Sequence, residues 1–220
     1  MSGDKNPAQR AVELIAEGAG DFLVKGRLDT KDLLKPVVDR ANNLHSADSP
    51  SGGLMSHLAF FQIPGVDRLV VLTDGGMVVY PDLNQKKGLI LNAVATLQTM
   101  GWERPRVAVL CAIEKLNPKM RETVEAAELA AMNRRGEIGG CVVEGPISYD
   151  VAMSPEIAAI KGYESENCGR FDVLVTPDMT SGNLLGKSLL VSAHASLAGI
   201  VVGTSQPRSE ERRVGKECRS

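Results

Sequence analysis

Apolar and polar residues follow two distinct patterns along the chain. Short runs rich in Val, Ile, Leu and Phe indicate buried strands, and longer stretches with apolar residues at every third or fourth position indicate amphipathic helices. The predicted strands span residues 21–24, 57–63, 69–73, 106–113, 140–144, 173–176 and 200–202. The predicted helices span residues 7–18, 31–41 and 120–134, with others after Asp82, from Ser154 and around Lys187.

Three short motifs predict where particular elements begin and turn. Residues 64–67, Pro-Gly-Val-Asp, lie between two β-rich runs and therefore predict an antiparallel hairpin. Asp82 followed by Gln85 predicts a capping box at the start of a long helix. Ser154 followed by Pro155 predicts another helix start, because serine caps well and proline is tolerated at the first helical position.

The alternation of strands and helices predicts an α/β fold, in which crossover helices cover a layered sheet. Pro105 precedes a strongly apolar strand, and we place a domain hinge there. We expect a partial first α/β domain with the hairpin over residues 1–104 and a second α/β domain over residues 105–207. Residues 208–220 are charged and hold no apolar run, so we expect a disordered tail.

Composition narrows the function classes. Of the 220 residues, 43% are apolar and 24% are charged, which is typical of a soluble globular protein. A net charge of −2 without a basic stripe argues against nucleic-acid binding. No apolar segment approaches the roughly 18 residues of a membrane span, and we expect no signal peptide, because the N-terminal residues contain no apolar core of that kind. The four cysteines lack metal-ligand spacing, so we predict reduced thiols and a cytoplasmic location.

The strongest candidate site follows the predicted strand at residues 173–176. A polar turn with Ser181, Gly182 and Asn183 leads into a helix that carries Lys187, and we expect Gly182 to let a ligand oxygen approach the backbone. A helix N-terminus binds anions, because its first amides lack partners and its dipole is positive there. An ordinary capped strand–helix junction has the same spacing, and spacing alone favours that interpretation.

A second strand–turn–helix unit carries Lys25, Gly26 and Arg27 at its turn, and Thr30 opens the next helix. Two cations and a glycine suit a phosphate group, although a solvated basic turn is the favoured interpretation of this segment alone. We find no glycine-rich dinucleotide fingerprint and no acidic cluster spaced for a metal ion.

Several motifs together resemble one family over residues 7–207. They read DFLVKGRLDTKDLLKPVV, MSHLAFFQIPG, TDGGMVVYPDLNQKK, RVAVLCAIEKLNPKM, EAAELAAMNRRGEIGGCVVEGPISYDVAMS and PDMTSGNLLGKSL, followed by LAGIVVG. The chain is similar to the phosphate acetyl/butyryltransferase family, and within it to the phosphate butyryltransferase branch. With this resemblance, the anion-site interpretation of residues 178–187 becomes the favoured one.

The resemblance implies reversible transfer of a short acyl group between CoA and inorganic phosphate. It also implies a two-domain, three-layer α/β/α fold similar to isocitrate and isopropylmalate dehydrogenases, incomplete in this chain, and a homodimer in the complete protein. The partners would be acyl-CoA and phosphate, with no metal and no cofactor besides CoA as substrate.

The resemblance also assigns site residues. Ser181, Gly182, Asn183 and Lys187 would bind the phosphate or acyl-phosphate end, and Lys25, Gly26 and Thr30 would line the cleft from the other domain. Three further residues match family motifs, and for the last two a structural ion pair is an equal alternative: Asp178, Asp150 and Lys161.

The chain departs from the family pattern in three places. Gly186 stands where the family has a tyrosine, an N-terminal α/β segment is missing, and residues 208–220 do not continue the family's Ser-Arg…Asp segment. That segment is associated with catalysis, so no catalytic base is assigned. We therefore interpret residues 208–220 as a tail foreign to the family. The alternative function is an inactive fragment that retains CoA or phosphate binding.

Overall fold

A computed structural model of the protein describes residues 6–20, 23–24, 28–39, 49–203 and 208–213. Within these residues the chain forms seven helices and eight strands. The strands are β1 Leu23–Val24, β2 Ser56–Gln62, β3 Leu69–Thr73, β4 Arg106–Leu110, β5 Val142–Ile147, β6 Val173–Val175, β7 Ser196–Val202 and β8 Arg208–Arg213. The helices are α1 Pro7–Ala16, α2 Thr30–Val38, α3 Leu83–Thr99, α4 Arg121–Arg134, α5 Tyr149–Met153, α6 Pro155–Lys161 and α7 Met179–Val191.

All the strands in the described part of the chain belong to one sheet, in the order β1-β8-β7-β2-β3-β6-β4-β5. The four strands β3, β6, β4 and β5 run parallel to one another. Their carboxyl ends therefore lie along one edge, which we call the carboxyl edge, and their starts lie along the opposite amino edge. β2 is antiparallel to β3, which confirms the predicted hairpin.

Helices cover both faces of the sheet, which confirms the layered α/β fold. On one face, apolar residues of α3 and α4 pack against Val173 and Val175 of β6. On the other face, residues of α5, α6 and α7 pack against Leu174, the β6 residue between those two valines. Successive strand residues point to opposite faces, so a strand buried on both sides is apolar throughout.

The predicted helix starts are also confirmed. The Asp82 carboxylate accepts a hydrogen bond from Gln85 N at 2.8 Å, and the Gln85 side chain accepts one from Asp82 N at 3.0 Å. Ser154 Oγ accepts a hydrogen bond from Ile157 N at 3.2 Å at the start of α6. None of the helices in the described ranges is long and apolar enough to cross a membrane.

The sheet bears on the predicted domain boundaries. The division at residue 104 stays a prediction, but β2 and β3 on one side of it and β4 to β6 on the other share a single sheet. The predicted disorder of residues 208–220 is wrong for residues 208–213, because these residues form β8 between β1 and β7. Backbone N–H and C=O groups pair regardless of side-chain polarity, so the absence of an apolar run did not exclude a strand. Residues 214–220 lie outside the described residues.

Candidate active site

The direction of the chain connections reverses at the carboxyl edge between β4 and β6. From β4 the chain continues through α4 to β5 on one side, and from β6 it continues through α7 to β7 on the other. Ligands of open α/β sheets bind at such switch points, outside the carboxyl ends of the strands. The site is therefore built from the loops that follow β3, β4, β5 and β6.

Asp74 organises the loop after β3. Its side chain is buried, and its carboxylate accepts hydrogen bonds from three backbone amides: His57 N at 2.9 Å, Gly76 N at 2.7 Å and Met77 N at 2.6 Å. A buried carboxylate is tolerated when several donors satisfy it. The loop is consequently held in one arrangement at the carboxyl edge.

The first turn of α7 packs directly onto this loop. A Cβ atom at Gly182 would lie 2.6 Å from Asp74 O and 2.7 Å from Thr176 Oγ1, distances that no side chain tolerates. Asn183 Nδ2 donates a hydrogen bond of 3.1 Å to Gly75 O. Gly182 thus serves the close approach of protein backbone, rather than of a ligand oxygen as the sequence suggested.

The first amides of α7 are already bonded within the protein. Ser181 N donates to the Asp178 carboxylate at 2.8 Å, and Met179 N donates to Val79 O at 3.1 Å. Gly182 N donates to Asp178 O at 3.1 Å, as a regular helical bond. Three of the four expected free amides therefore already have partners, and the Asp178 cap places a negative charge at the positive end of the helix dipole.

Two side chains of the predicted set remain accessible on α7. Asn183 and Lys187 are both exposed, and Lys187 makes no hydrogen bond or ion pair with any residue in the described ranges. They lie one turn apart, so they project from the same face of the helix. Lys187 therefore supplies an uncommitted positive charge beside the Gly75–Asn183 contact.

A second polar cluster joins the loops after β4 and β5. Lys161 Nζ lies 3.0 Å from Glu114 Oε1 and 2.9 Å from Asp150 Oδ2. The Ser148 hydroxyl contacts both carboxylates and lies 3.3 Å from Lys161 Nζ. Asp150 and Lys161 thus form the ion pair that we weighed as an alternative, within a network of four residues.

The network stabilises the charged form of each of its ionisable members. Hydrogen bonds from Ser148 and then Lys161 lower the pKa of Asp150 to about 2. The Ser148 hydroxyl, which donates its proton to one carboxylate at a time, also lowers the pKa of Glu114. Hydrogen bonds to Asp150 and Glu114 raise the pKa of Lys161. Asp150 is therefore a weak base for a thiol whose ordinary pKa is about 8.5.

The cysteines in the described part of the chain are free and buried: Cys111, Cys141 and Cys168. Burial raises the pKa of Cys111 to about 12 and that of Cys141 to about 11. Because the thiolate is the nucleophile, neither side chain is activated for attack.

The remaining predicted positions differ in what the structure says of them. Lys25 and Gly26 lie outside the described residues, and Thr30 is the first residue of α2, where only the backbone is described. Gly186 is buried, and a Cβ atom there would lie 3.3 Å from Phe61 Cζ and 3.5 Å from Leu72 Cδ2. This position therefore faces the core under α7.

Three residues of the carboxyl edge were not among the predicted site residues: Asp74, Glu114 and Ser148. Each lies in the loop that follows a parallel strand, and this position in the sequence was the signal that could have identified it. Polar residues at strand ends are also common on solvated surfaces, so the signal alone did not separate these residues from others.

The parallel strands, the helical layers and the polar loops at the carboxyl edge define a doubly wound three-layer α/β protein. Residues 4–213 match the family described as phosphate acetyl/butaryl transferase, and the chain belongs to this family. The matched range extends through β8, and the interpretation of residues 208–220 as a tail foreign to the family stays a prediction.

Individual relatives agree with this membership. The chain is 39% identical over 203 residues to a phosphate butyryltransferase from Clostridium acetobutylicum, covering 92% of this chain and 66% of that protein. It thus spans slightly less than two thirds of that relative's length. A branched-chain phosphotransacylase from Enterococcus faecalis V583 has a TM-score of 0.81 at 34% identity, over 93% of this chain and 71% of that one.

The fold extends beyond this family. A 4-hydroxythreonine-4-phosphate dehydrogenase from Klebsiella pneumoniae has a TM-score of 0.51 at 15% identity, over 95% of this chain and 61% of that one. At this identity the likeness concerns the fold alone. It agrees with the expected likeness to dehydrogenases.

Proposed function

We propose that the protein is a phosphate acyltransferase that reversibly transfers a short acyl group, butyryl or acetyl, between CoA and inorganic phosphate. Family membership supports this proposal. The observation that carries it is the contact between Asn183 and Gly75, which fastens the family motif of residues 178–187 to the β3 loop at the carboxyl edge. Lys187 lies beside that contact with its charge uncommitted.

The chemistry requires charge stabilisation at two points. In one direction, a phosphate oxygen attacks the thioester carbonyl, and CoA leaves as the thiolate when the tetrahedral intermediate collapses. In the other direction, the thiol must lose its proton before it attacks the acyl phosphate. Lys187 and Asn183 would hold the phosphate oxygens, because an ammonium and an amide N–H both donate to oxyanions.

The proposed reaction changes no oxidation state, so it needs no redox cofactor, and CoA takes part as a substrate. We assign no general base, since Asp150 is already stabilised as a weakly basic carboxylate by Ser148 and Lys161. We further propose a cytoplasmic location, following the cysteine pattern, and a homodimer of the complete protein, following the sequence resemblance.

The alternative is binding of CoA or phosphate without turnover. One observation favours it: three of the first four α7 amides, those of Met179, Ser181 and Gly182, are bonded to Val79 and Asp178, so they are not free to donate to an oxyanion in this arrangement.

A thiol-release assay separates the two functions. Acetyl-CoA and butyryl-CoA are each incubated with the protein, with and without inorganic phosphate, and free CoA is measured. The proposal expects phosphate-dependent release, and the preferred acyl group is the one released with the higher kcat/KM. A rise in Tm with CoA or phosphate but without release would favour the alternative. Neither release nor a rise in Tm would contradict both.

A further inference from the structure

Two arginines flank the start of β6 at the amino edge. This edge lies at the other end of the parallel strands from the candidate active site. Arg68 immediately precedes β3, and Arg106 is the first residue of β4. Arg68 Nε donates to Phe171 O at 3.2 Å, and Arg106 Nη1 donates to Arg170 O at 3.3 Å. Both guanidinium groups are therefore anchored to the two adjacent carbonyl groups that lead into β6.

The side chain of Arg68 is partly exposed, and one of its guanidinium nitrogens is an unused donor. Arg68 Nη2 is buried and has no hydrogen-bond partner within the described part of the protein. In the same part of the chain, neither Arg68 nor Arg106 forms an ion pair with a carboxylate. A buried, charged donor without a partner is costly, so an unseen acceptor is the physical expectation at this position.

The neighbouring acids do not supply that acceptor. Both oxygens of Asp172 are engaged, one by Trp102 Nε1 at 3.2 Å and the other by Arg106 N at 2.8 Å. Asp67 and Asp172 interact with Arg68 at longer range, and Arg106 opposes them. Burial is the main influence that lowers the pKa of Arg68, yet a guanidinium remains protonated at neutral pH.

From this arrangement we propose that Arg68 and Arg106 form an anion-binding site for a phosphate-type oxyanion, either free phosphate or a phosphomonoester. Guanidinium groups match tetrahedral oxyanions because their N–H groups form a planar fork. The carbonyl bonds from Phe171 and Arg170 fix the orientation of each fork and leave the other N–H groups to the ligand. This site is separate from the proposed acyl-transfer site and does not depend on that function.

Isothermal titration calorimetry tests the proposal, with inorganic phosphate in one arm and AMP in the other. Sodium chloride at matched ionic strength controls for screening. The variants are Arg68→Gln, Arg68→Lys and Arg106→Gln. Arg104→Gln is the matched control, because Arg104 is an exposed arginine at the same edge. Arg68→Lys keeps the charge without the fork, and it guards against a loss of binding caused by unfolding.

Binding is expected to weaken about tenfold in Arg68→Gln and Arg106→Gln, and less in Arg68→Lys, with no change in Arg104→Gln. If the arginine variants lose more affinity for inorganic phosphate than for AMP, the site binds free phosphate. If they lose more affinity for AMP, the site binds a phosphomonoester. Equal affinities in all the proteins for both ligands would overturn the proposal, because a water molecule would then be the partner of Arg68 Nη2. Phosphate bound at the carboxyl edge does not confound this comparison, since only the differences between variants are used.

Discussion

Gly182 lies where the first turn of α7 meets the loop after β3. From the sequence, a glycine in a polar turn predicted room for a ligand, and the structure instead shows that backbone fills this space. The sequence motif was located correctly, but its physical role depends on Asp74, which is 108 residues earlier in the chain. No local pattern reports such a contact.

Gly182→Ala should therefore destabilise the protein. The added methyl group would meet Asp74 O and Thr176 Oγ1, and overpacking of this kind costs about 1–3 kcal/mol in the free energy of unfolding. Gly139→Ala is the matched control, because a Cβ atom there has no neighbour within 4 Å, and it should change that free energy by less than about 1 kcal/mol. Urea unfolding measures both, and equal effects would contradict the packing role.

Because of Asp150, the stability of the folded protein should fall as the pH is lowered in the acid range. The folded pKa of Asp150 is lowered from 3.8 to about 2, so its contribution is fully present above the unfolded pKa and is lost as the pH falls through this range. Thermal unfolding between pH 5 and 2 should show a steeper loss of Tm in the wild type than in Asp150→Asn. Parallel curves would show that the Ser148 and Lys161 contacts do not hold this carboxylate in solution.

At the scale of elements, local signals predicted most of the helices and strands, and the structure refined their ends. The Asp82–Gln85 capping box and the β2–β3 hairpin were found as predicted, because both depend on neighbouring residues. The predicted strand at residues 140–144 instead spans Val142–Ile147 and includes Gly145 and Pro146. Those two residues normally end strands, so the sequence pattern placed the boundary too early.

The packing of α3 against α4 includes a buried ion pair that the sequence did not indicate. Lys86 Nζ lies 2.6 Å from Glu125 Oε2, and the two side chains are only 5% and 11% exposed. The residues are 39 positions apart, so helical spacing could not relate them. Arg121 also contacts Glu125, but its side chain is 72% exposed.

Lys86→Met should cost about 3 kcal/mol in the free energy of unfolding. The buried Glu125 carboxylate would then keep only Arg121, whose side chain is mostly exposed, as its charged partner. The double variant Lys86→Met/Glu125→Leu should recover most of this loss, since the uncompensated charge is then absent. Arg121→Gln, the control, should cost less than about 1 kcal/mol. Chemical denaturation measures all three, and a double variant no more stable than Lys86→Met would contradict the account.

At the scale of the whole molecule, the α/β class followed from the alternation of elements, but the strand order did not. β2 pairs with β7 over its full length, from Ser56 opposite Val202 to Gln62 opposite Ser196. β8 lies between β7 and β1 although its sequence is charged. Such pairings join distant segments through backbone groups, which have the same chemistry in every residue, so the sequence carries little trace of them.

The same limit applies to the candidate site. Family motifs identified Asn183 and Lys187, and the structure leaves both accessible at the carboxyl edge. The use of the α7 amides by Asp178 and Val79 was not predicted, because it depends on tertiary contacts. The central claim consequently depends on the two side chains rather than on the helix N-terminus.

The most direct test of that claim is phosphate-dependent release of CoA from butyryl-CoA by Lys187→Ala. The account predicts a loss of about 10²-fold or more in kcat, because a donor to the phosphate oxygens is removed. Arg134→Ala should retain the wild-type rate, since Arg134 is an exposed cation at the end of α4, away from the carboxyl edge. Wild-type kcat and KM for phosphate in a folded Lys187→Ala protein would contradict the account.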